Sequence, residues 1–252
     1  MSPDITNDSL FNGELVCLQH RCGYRFSMDA VLVAHFCRPR PGNRVLDLGA
    51  GCGVIGLILA YRHPDITLTG LEFQHDLAKL ASENVQRNNL QDRFRIYEAD
   101  LRYPARAVDP ESFDLIVCNP PYRKTGTGRI NREDECALAR HELKAVIHDV
   151  VRAAVFSVRN RGTAVFVYPA VRSATLISAL QEQKLMVKRL RPVYSYPGDG
   201  RARLVLVEAV KNGGEECLLM EPFYIYSRKN GPYSMEMQQL YLPMECKPVD
   251  LF

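Results

Sequence analysis

Short apolar runs rich in strand formers alternate along this chain with longer segments that are apolar at helical spacing. The clearest run is Arg44-Val45-Leu46-Asp47-Leu48, which enters the glycine-rich turn Gly49-Ala50-Gly51-Cys52-Gly53 and then a helix over 54–62. The period repeats as a strand over 66–71 ending at Glu72, a helix over 74–88, and a strand over 94–97 followed by Glu98-Ala99-Asp100. A strand over 113–118 ends at Asn119-Pro120-Pro121-Tyr122; a helix over 143–158, a strand over 163–168 and a helix over 171–183 follow. Two last strands, 185–194 and 202–210, have no helix between them and predict an antiparallel edge hairpin around Gly198-Asp199-Gly200. Alternation of this kind predicts an α/β fold: a Rossmann-like, mostly parallel, doubly wound sheet.

The ends carry weaker patterns. Residues 1–12 are polar and predict a frayed start. Residues 15–18 and 24–26 read as strand-like pieces joined by a turn over 19–23, and Ser27 as the N-cap of an apolar helix over 28–36. Arg38-Pro39-Arg40-Pro41-Gly42 marks a boundary. The tyrosine-rich tail from 211 reads as a packed extension. A length of 252 residues suits one domain, with extensions over 1–40 and 211–252 around a core over 41–210.

Composition narrows the class. At 46% hydrophobic and 24% charged, the chain can bury a core and is not disordered. A net charge of +3 permits nucleic acid without requiring it. None of the eight cysteines forms a C-x-x-C pair, so no metal is expected. With no targeting pattern at the N-terminus, and a longest apolar run over 54–61 that is too short to span a bilayer, the expected setting is the cytoplasm and no membrane. The sequence sets no oligomeric state.

The chemistry gathers at strand ends, where open α/β sheets bind ligands. Asp47, Glu72 and Asp100 end three strands and Asn119 a fourth. Asp47 with Gly49, Ala50, Gly51 and Gly53 would hold an amino-acid moiety, Glu72 two ribose hydroxyls, and Asp100 an adenine amino group, with Phe73 beside Glu72. The spacing Gly51-x-Gly53-x-x-Gly56, with Glu72 following, also fits a dinucleotide fingerprint, which keeps a nicotinamide oxidoreductase in view. Against it, a carboxylate at Asp47 repels a pyrophosphate and suits a cationic ligand such as S-adenosylmethionine. At Asn119-Pro120-Pro121-Tyr122 the prolines force the strand to end. Asn119 and the Pro120 carbonyl can accept from an exocyclic amino group, and Tyr122 can stack on its ring.

Asp47-Leu48-Gly49-Ala50-Gly51-Cys52-Gly53 resembles the cofactor motif of class I S-adenosylmethionine-dependent methyltransferases, and Asn119-Pro120-Pro121-Tyr122 the catalytic motif of the amino-methylating branch. Residues 19–36 (QHRCGYRFSMDAVLVAHF) are similar to the bacterial tRNA1(Val) adenine-N6 methyltransferase family, as are Ala139-Arg140-His141-Glu142, Val193-Tyr194 with 198–203, and 222–226 with 231–234. The resemblance covers most of the chain. It implies methylation of an adenine N6 in the tRNA anticodon loop, just 3′ of the anticodon, and a sheet order of 3-2-1-4-5-7-6. Tyr24, Met28 and Asp29 are then candidates to close over the cofactor, with core packing the competing role for Tyr24 and Met28. Arg123, Lys124, Arg129 and Arg132, in a basic, glycine-bearing stretch, are candidates to contact RNA. Lys188-Arg189-Leu190-Arg191 and Arg201-x-Arg203 are further basic candidates or merely charged strand faces. A glutamine-N5 or DNA-adenine methyltransferase, and a non-catalytic RNA-binding protein, remain alternatives.

Overall fold

Every residue of the Arg44–Leu48 run except Arg44 is buried, as a central strand covered on both faces requires. The computed structural model describes residues 5–21, 27–120 and 147–244. Tyr24, Pro121, Tyr122, Arg123, Lys124, Arg129 and Arg132 lie outside the described residues, as does 139–142.

The chain opens on an antiparallel hairpin of β1 (Ile5–Leu10) and β2 (Leu15–His20). Over the described residues 5–12 this corrects the expected frayed start, and at 19–20 the expected turn: Leu10 and Phe11 are buried, and Gln19 and His20 are paired strand residues. Phe11 anchors the hairpin by stacking on Tyr61, with 4.4 Å between ring centroids. Next come α1 (Met28–Phe36), β3 (Arg44–Leu48), α2 (Val54–Arg62), β4 (Thr67–Glu72), α3 (His75–Arg87), β5 (Phe94–Glu98) and β6 (Phe113–Cys118). Then follow α4 (Ile147–Ser157), β7 (Val158–Pro169), α5 (Ser173–Glu182), β8 (Leu185–Tyr194) and β9 (Leu204–Lys211). Ser27 does take the N-cap position of α1, but its side chain makes no capping bond. Val158, expected in a helix, starts β7 and pairs with Phe113.

The sheet runs β8-β9-β7-β6-β3-β4-β5, and only β9 is antiparallel to its neighbours. Numbered along the chain, that is the order 3-2-1-4-5-7-6. The tail adds β10 (Leu218–Leu219) and β11 (Phe223–Tyr224), both parallel to β8, and then α6 (Met235–Gln239). One core cluster joins the hairpin, α1, α2 and α3 to Phe223, Met237 and Leu240 of the tail. The other lies under α4 and α5. No helix of the described residues is long and apolar enough to cross a membrane.

Gly56 sets how closely α2 approaches the sheet. A Cβ there would lie 2.2 Å from Phe94 Cζ. Gly56→Ala is expected to destabilise the protein by about 1–3 kcal/mol in urea titration, the usual cost of overpacking. A loss below about 0.5 kcal/mol would mean that the Phe94 ring simply swings aside.

Candidate cofactor and substrate site

Register brings the chemistry together. Leu48 pairs with Leu71 on one side and Cys118 on the other, and Glu72 pairs with Glu98. Gly49, Glu72, Asp100 and Asn119 therefore leave the sheet at one edge. Three strand spacings of about 4.8 Å put about 14 Å between the β5 and β6 ends. The Cys118 thiol donates to the Leu48 carbonyl at 3.0 Å, tying the Asn119 end of β6 to the glycine turn.

The turn is built on left-handed backbone. Gly49, Gly51 and Gly53 have φ of 77°, 58° and 84°, a region that side chains with a Cβ seldom adopt. The Gly49 and Ala50 amides both donate to the Leu71 carbonyl at 2.9 Å. Gly53 is the N-cap of α2 and no side chain caps it, so the helix end presents N–H groups and the positive end of its dipole. A Cβ on Gly49 would meet nothing within 4 Å, which leaves room for a ligand against the turn.

Glu72 is 4% exposed. Its Oε2 accepts from the Gly51 amide at 2.8 Å and its Oε1 from the Gln74 amide at 2.9 Å. Beside the ribose role expected for it, the structure gives this carboxylate a structural one: it clamps the turn to β4. Burial raises its pKa, and these amide bonds oppose the rise. Phe73, the next residue, is 40% exposed at the same edge.

Asp47 lies beneath the turn, fully buried, and neither carboxylate oxygen makes a hydrogen bond of ordinary geometry, the Gly56 amide being the donor near it. Burial foremost, then the charge of Glu72, raises its pKa to about 7, although the Gly56 amide pulls the other way. Asp100 is held differently. Arg102 grips both of its oxygens, with Nε at 2.9 and 2.8 Å from Oδ1 and Oδ2, and this pairing lowers the Asp100 pKa. Asp100 therefore already has a cation on its carboxylate, a partner that the sequence reading overlooked. The acid-x-Arg spacing was the available signal. Asn119 is half-buried and Pro120 buried. Met28 packs against the core cluster, the competing role named for it, and Asp29 sits half-buried in the first turn of α1.

Two asparagines on α3 do something that no motif announced. Asn88 accepts from the Val16 amide at 2.9 Å and donates to the Val16 carbonyl at 2.7 Å. Asn84 does the same to Leu18, at 2.7 and 3.0 Å, and also donates to the Cys52 carbonyl in the glycine turn at 2.9 Å. At i and i+4 spacing the two amides imitate a neighbouring strand for alternate residues of β2. Asn84 is fully buried. Asn84→Ala is expected to cost about 2–3 kcal/mol in urea, because it strands buried partners. An unchanged midpoint would show that water replaces the amide.

The basic β8 candidates are structural. Arg189 and Arg191 are each 7% exposed, over the Phe36 and Phe223 rings, and pair with Glu208 and Glu236. Lys188 Nζ donates to the Gly214 and Glu216 carbonyls. Arg189 and Arg191, two residues apart, lie on one face of β8 beyond the register shift at Val187–Arg189; α1 and β9 cover Arg189, and the tail covers Arg191. Among the described residues no cluster of His, Cys, Asp or Glu is placed to hold a metal ion.

A sequence model of the methyltransferase small domain matches residues 28–169, the stretch that contains this whole edge. The chain belongs to the methyltransferase small domain family. A Bacteroides thetaiotaomicron relative named tRNA1(Val) (adenine(37)-N6)-methyltransferase is 27% identical over 221 residues, 87% of this chain and 90% of the relative. A Proteus mirabilis relative of the same name is 36% identical over 118 residues, 46% of each chain. The crystal structure of an Agrobacterium tumefaciens protein titled a predicted O-methyltransferase superposes with a TM-score of 0.70. It covers 85% of this chain and 95% of its own, at 21% identity, and shares the fold.

The residues of this methyltransferase small domain fit S-adenosylmethionine. The orphaned Asp47 carboxylate supplies negative charge for a cationic ligand. The space at Gly49 admits a ligand against the backbone, and the exposed Phe73 ring offers a face to an adenine.

Proposed function

We propose that this protein transfers a methyl group from S-adenosylmethionine to the exocyclic N6 of an adenine in tRNA, adenine 37 beside the anticodon. What carries the reading is the placement of Asn119 and Pro120 at the end of β6, one strand from the glycine turn, in a chain whose relatives bear that name. Asp47, Gly49, Ala50, Gly51, Gly53, Glu72, Phe73 and Asp100 form the cofactor row, bordered by Asn119. Tyr24 and Asp29 complete its cover, while Met28 keeps its core role. Arg123, Lys124, Arg129 and Arg132 contact the RNA. The chain from 1 to 252 works as one domain, an idea supported by the core cluster that joins its two ends.

When bound, the cofactor supplies an electrophilic methyl on a cationic sulfur. Asn119 Oδ1 and the Pro120 carbonyl accept the two N6–H groups, which turns the nitrogen lone pair out of the ring plane and toward that methyl. The cofactor, held by the row above, would supply the methyl for a new N–C bond in place of its own C–S bond, and one N6 proton would pass to solvent. Tyr122 holds the base by stacking, worth about 1–3 kcal/mol. Positioning supplies most of the acceleration. The test is transfer of labelled methyl to unmodified tRNA, followed by nucleoside analysis. N6-methyladenosine in tRNA is the expected product; label in a release-factor protein alone would sink the reading.

A further inference from the structure

β7 continues three residues past Phe166, the partner of Cys118, and its last residue, Pro169, pairs with Leu204 at the start of β9. At about 3.3 Å per residue, the outer strands stand about 10 Å above the level where Asn119 leaves the sheet. Three connections crown this wall. Residues 170–172 follow β7, and the Ala170 amide donates to the Arg203 carbonyl at 2.9 Å. Residues 195–203 link β8 to β9. Residues 226–233 form a turn beyond β11, docked by the Tyr226 amide on the Ser195 carbonyl at 2.8 Å. From β6 the wall extends through β7, β9 and β8 to β11, about 19 Å in four strand spacings.

The charge on these connections is one-sided. They carry Arg172, Arg201, Arg203, Arg228 and Lys229, against the single acid Asp199. Their net positive charge exceeds the +3 of the whole chain. Asp199 is spent locally, pairing with Arg203 at 3.1 Å. Arg201, Arg203, Arg228 and Lys229 are exposed. Stacking of Tyr226 on Tyr233, with centroids 5.4 Å apart, braces the turn that carries Arg228 and Lys229. By contrast, Arg189 and Arg191 of β8 are buried in ion pairs.

We propose that this wall is the phosphate track along which the RNA substrate lies, with the target base reaching down to Asn119. The inference rests on the tRNA reading above and adds to it a docking surface on the opposite side of Asn119 from the cofactor row. A polyanionic backbone is the occupant that matches a row of cations running about 14 Å, three strand spacings from the β7 end to the turn beyond β11, beside Asn119.

The test uses the full chain and an unmodified tRNA transcript. Arg201→Gln, Arg228→Gln and Lys229→Gln are combined in one variant. The control combines Arg40→Gln, Arg44→Gln and Lys184→Gln, three exposed cations next to strand starts at the opposite sheet edge. The wall variant is expected to bind tRNA about tenfold more weakly or worse near physiological salt, and to lose about 2 from the slope of log affinity against log salt. KM for tRNA rises while kcat at saturating tRNA and cofactor affinity stay unchanged. The control keeps wild-type slope and affinity. Equal losses in both variants, or none in the wall variant while wild type methylates tRNA, would overturn the wall alone. A wild-type protein that neither binds nor methylates tRNA overturns the wall and the function together.

Discussion

An Asn119→Ala variant is expected to transfer methyl groups to tRNA about 10²- to 10³-fold more slowly than wild type, the scale of one hydrogen bond made to a transition state. The adenine amino group is a poor nucleophile because its lone pair is shared with the ring. Only an acceptor that pulls an N–H out of that plane frees it, and alanine has none. Asn119 sits at the β6 end, beyond the glycine-turn clamp, so cofactor affinity is expected to fall less than tenfold. Asn119→Asp keeps an acceptor oxygen and should retain more activity than the alanine variant. Single-turnover kinetics with saturating tRNA separates the step from binding. Wild-type single-turnover rates in Asn119→Ala would remove this residue from the chemistry.

Asp47→Asn should make the protein more stable above pH 7 and worse at holding its cofactor. The folded-state pKa of Asp47 is about 7 against 3.8 for the free group. As pH rises from about 4 to about 7, the unfolded chain ionises this group while the folded chain still resists. Stability is therefore lost through that window and stays flat above it. Asparagine cannot ionise. At roughly 1.4 kcal/mol per unit over about three units, the gain at pH 8 reaches at most about 4 kcal/mol and vanishes near pH 4. The unpartnered amide reduces it. Urea titrations at pH 5 and pH 8, with calorimetric titration of S-adenosylmethionine, check both halves. A variant less stable than wild type at pH 8 would refute the argument. The pairing of higher stability with weaker binding marks a carboxylate kept buried for its ligand.

The sheet was legible because its strands are apolar runs closed by glycine, proline or acid. β3, β6 and β8 start and end where the hydrophobic pattern does. The acidic strand ends were legible too, since the register follows from the alternation with helices. The hairpin start was not. Ile5–Leu10 reads ITNDSL, polar enough to look like a tail, and becomes a strand only because β2 is there to pair with it. Arg189 and Arg191, read as basic candidates or as a charged strand face, lie buried in ion pairs instead, because charge carries no record of which strand face other elements will cover. Arg102 on Asp100, and Asn84 on the glycine turn, are side-chain pairings, and their partners are fixed by three-dimensional proximity rather than by period.

The amide ladder from α3 to β2 also has a bearing on how the chain is made. Val16 and Leu18 leave the ribosome long before Asn88 and Asn84, 72 and 66 residues later. Until α3 has formed, the outer edge of β2 has no partner, and the Cys52 carbonyl lacks its donor. The first strands synthesised are thus among the last to settle, because non-local pairing waits for the chain that completes it. In pulse-labelling hydrogen exchange, the Val16 and Leu18 amides gain protection together with α3 and after the hairpin's own cross-strand bonds. The glycine turn then takes its final shape in the same step that fastens the front of the chain.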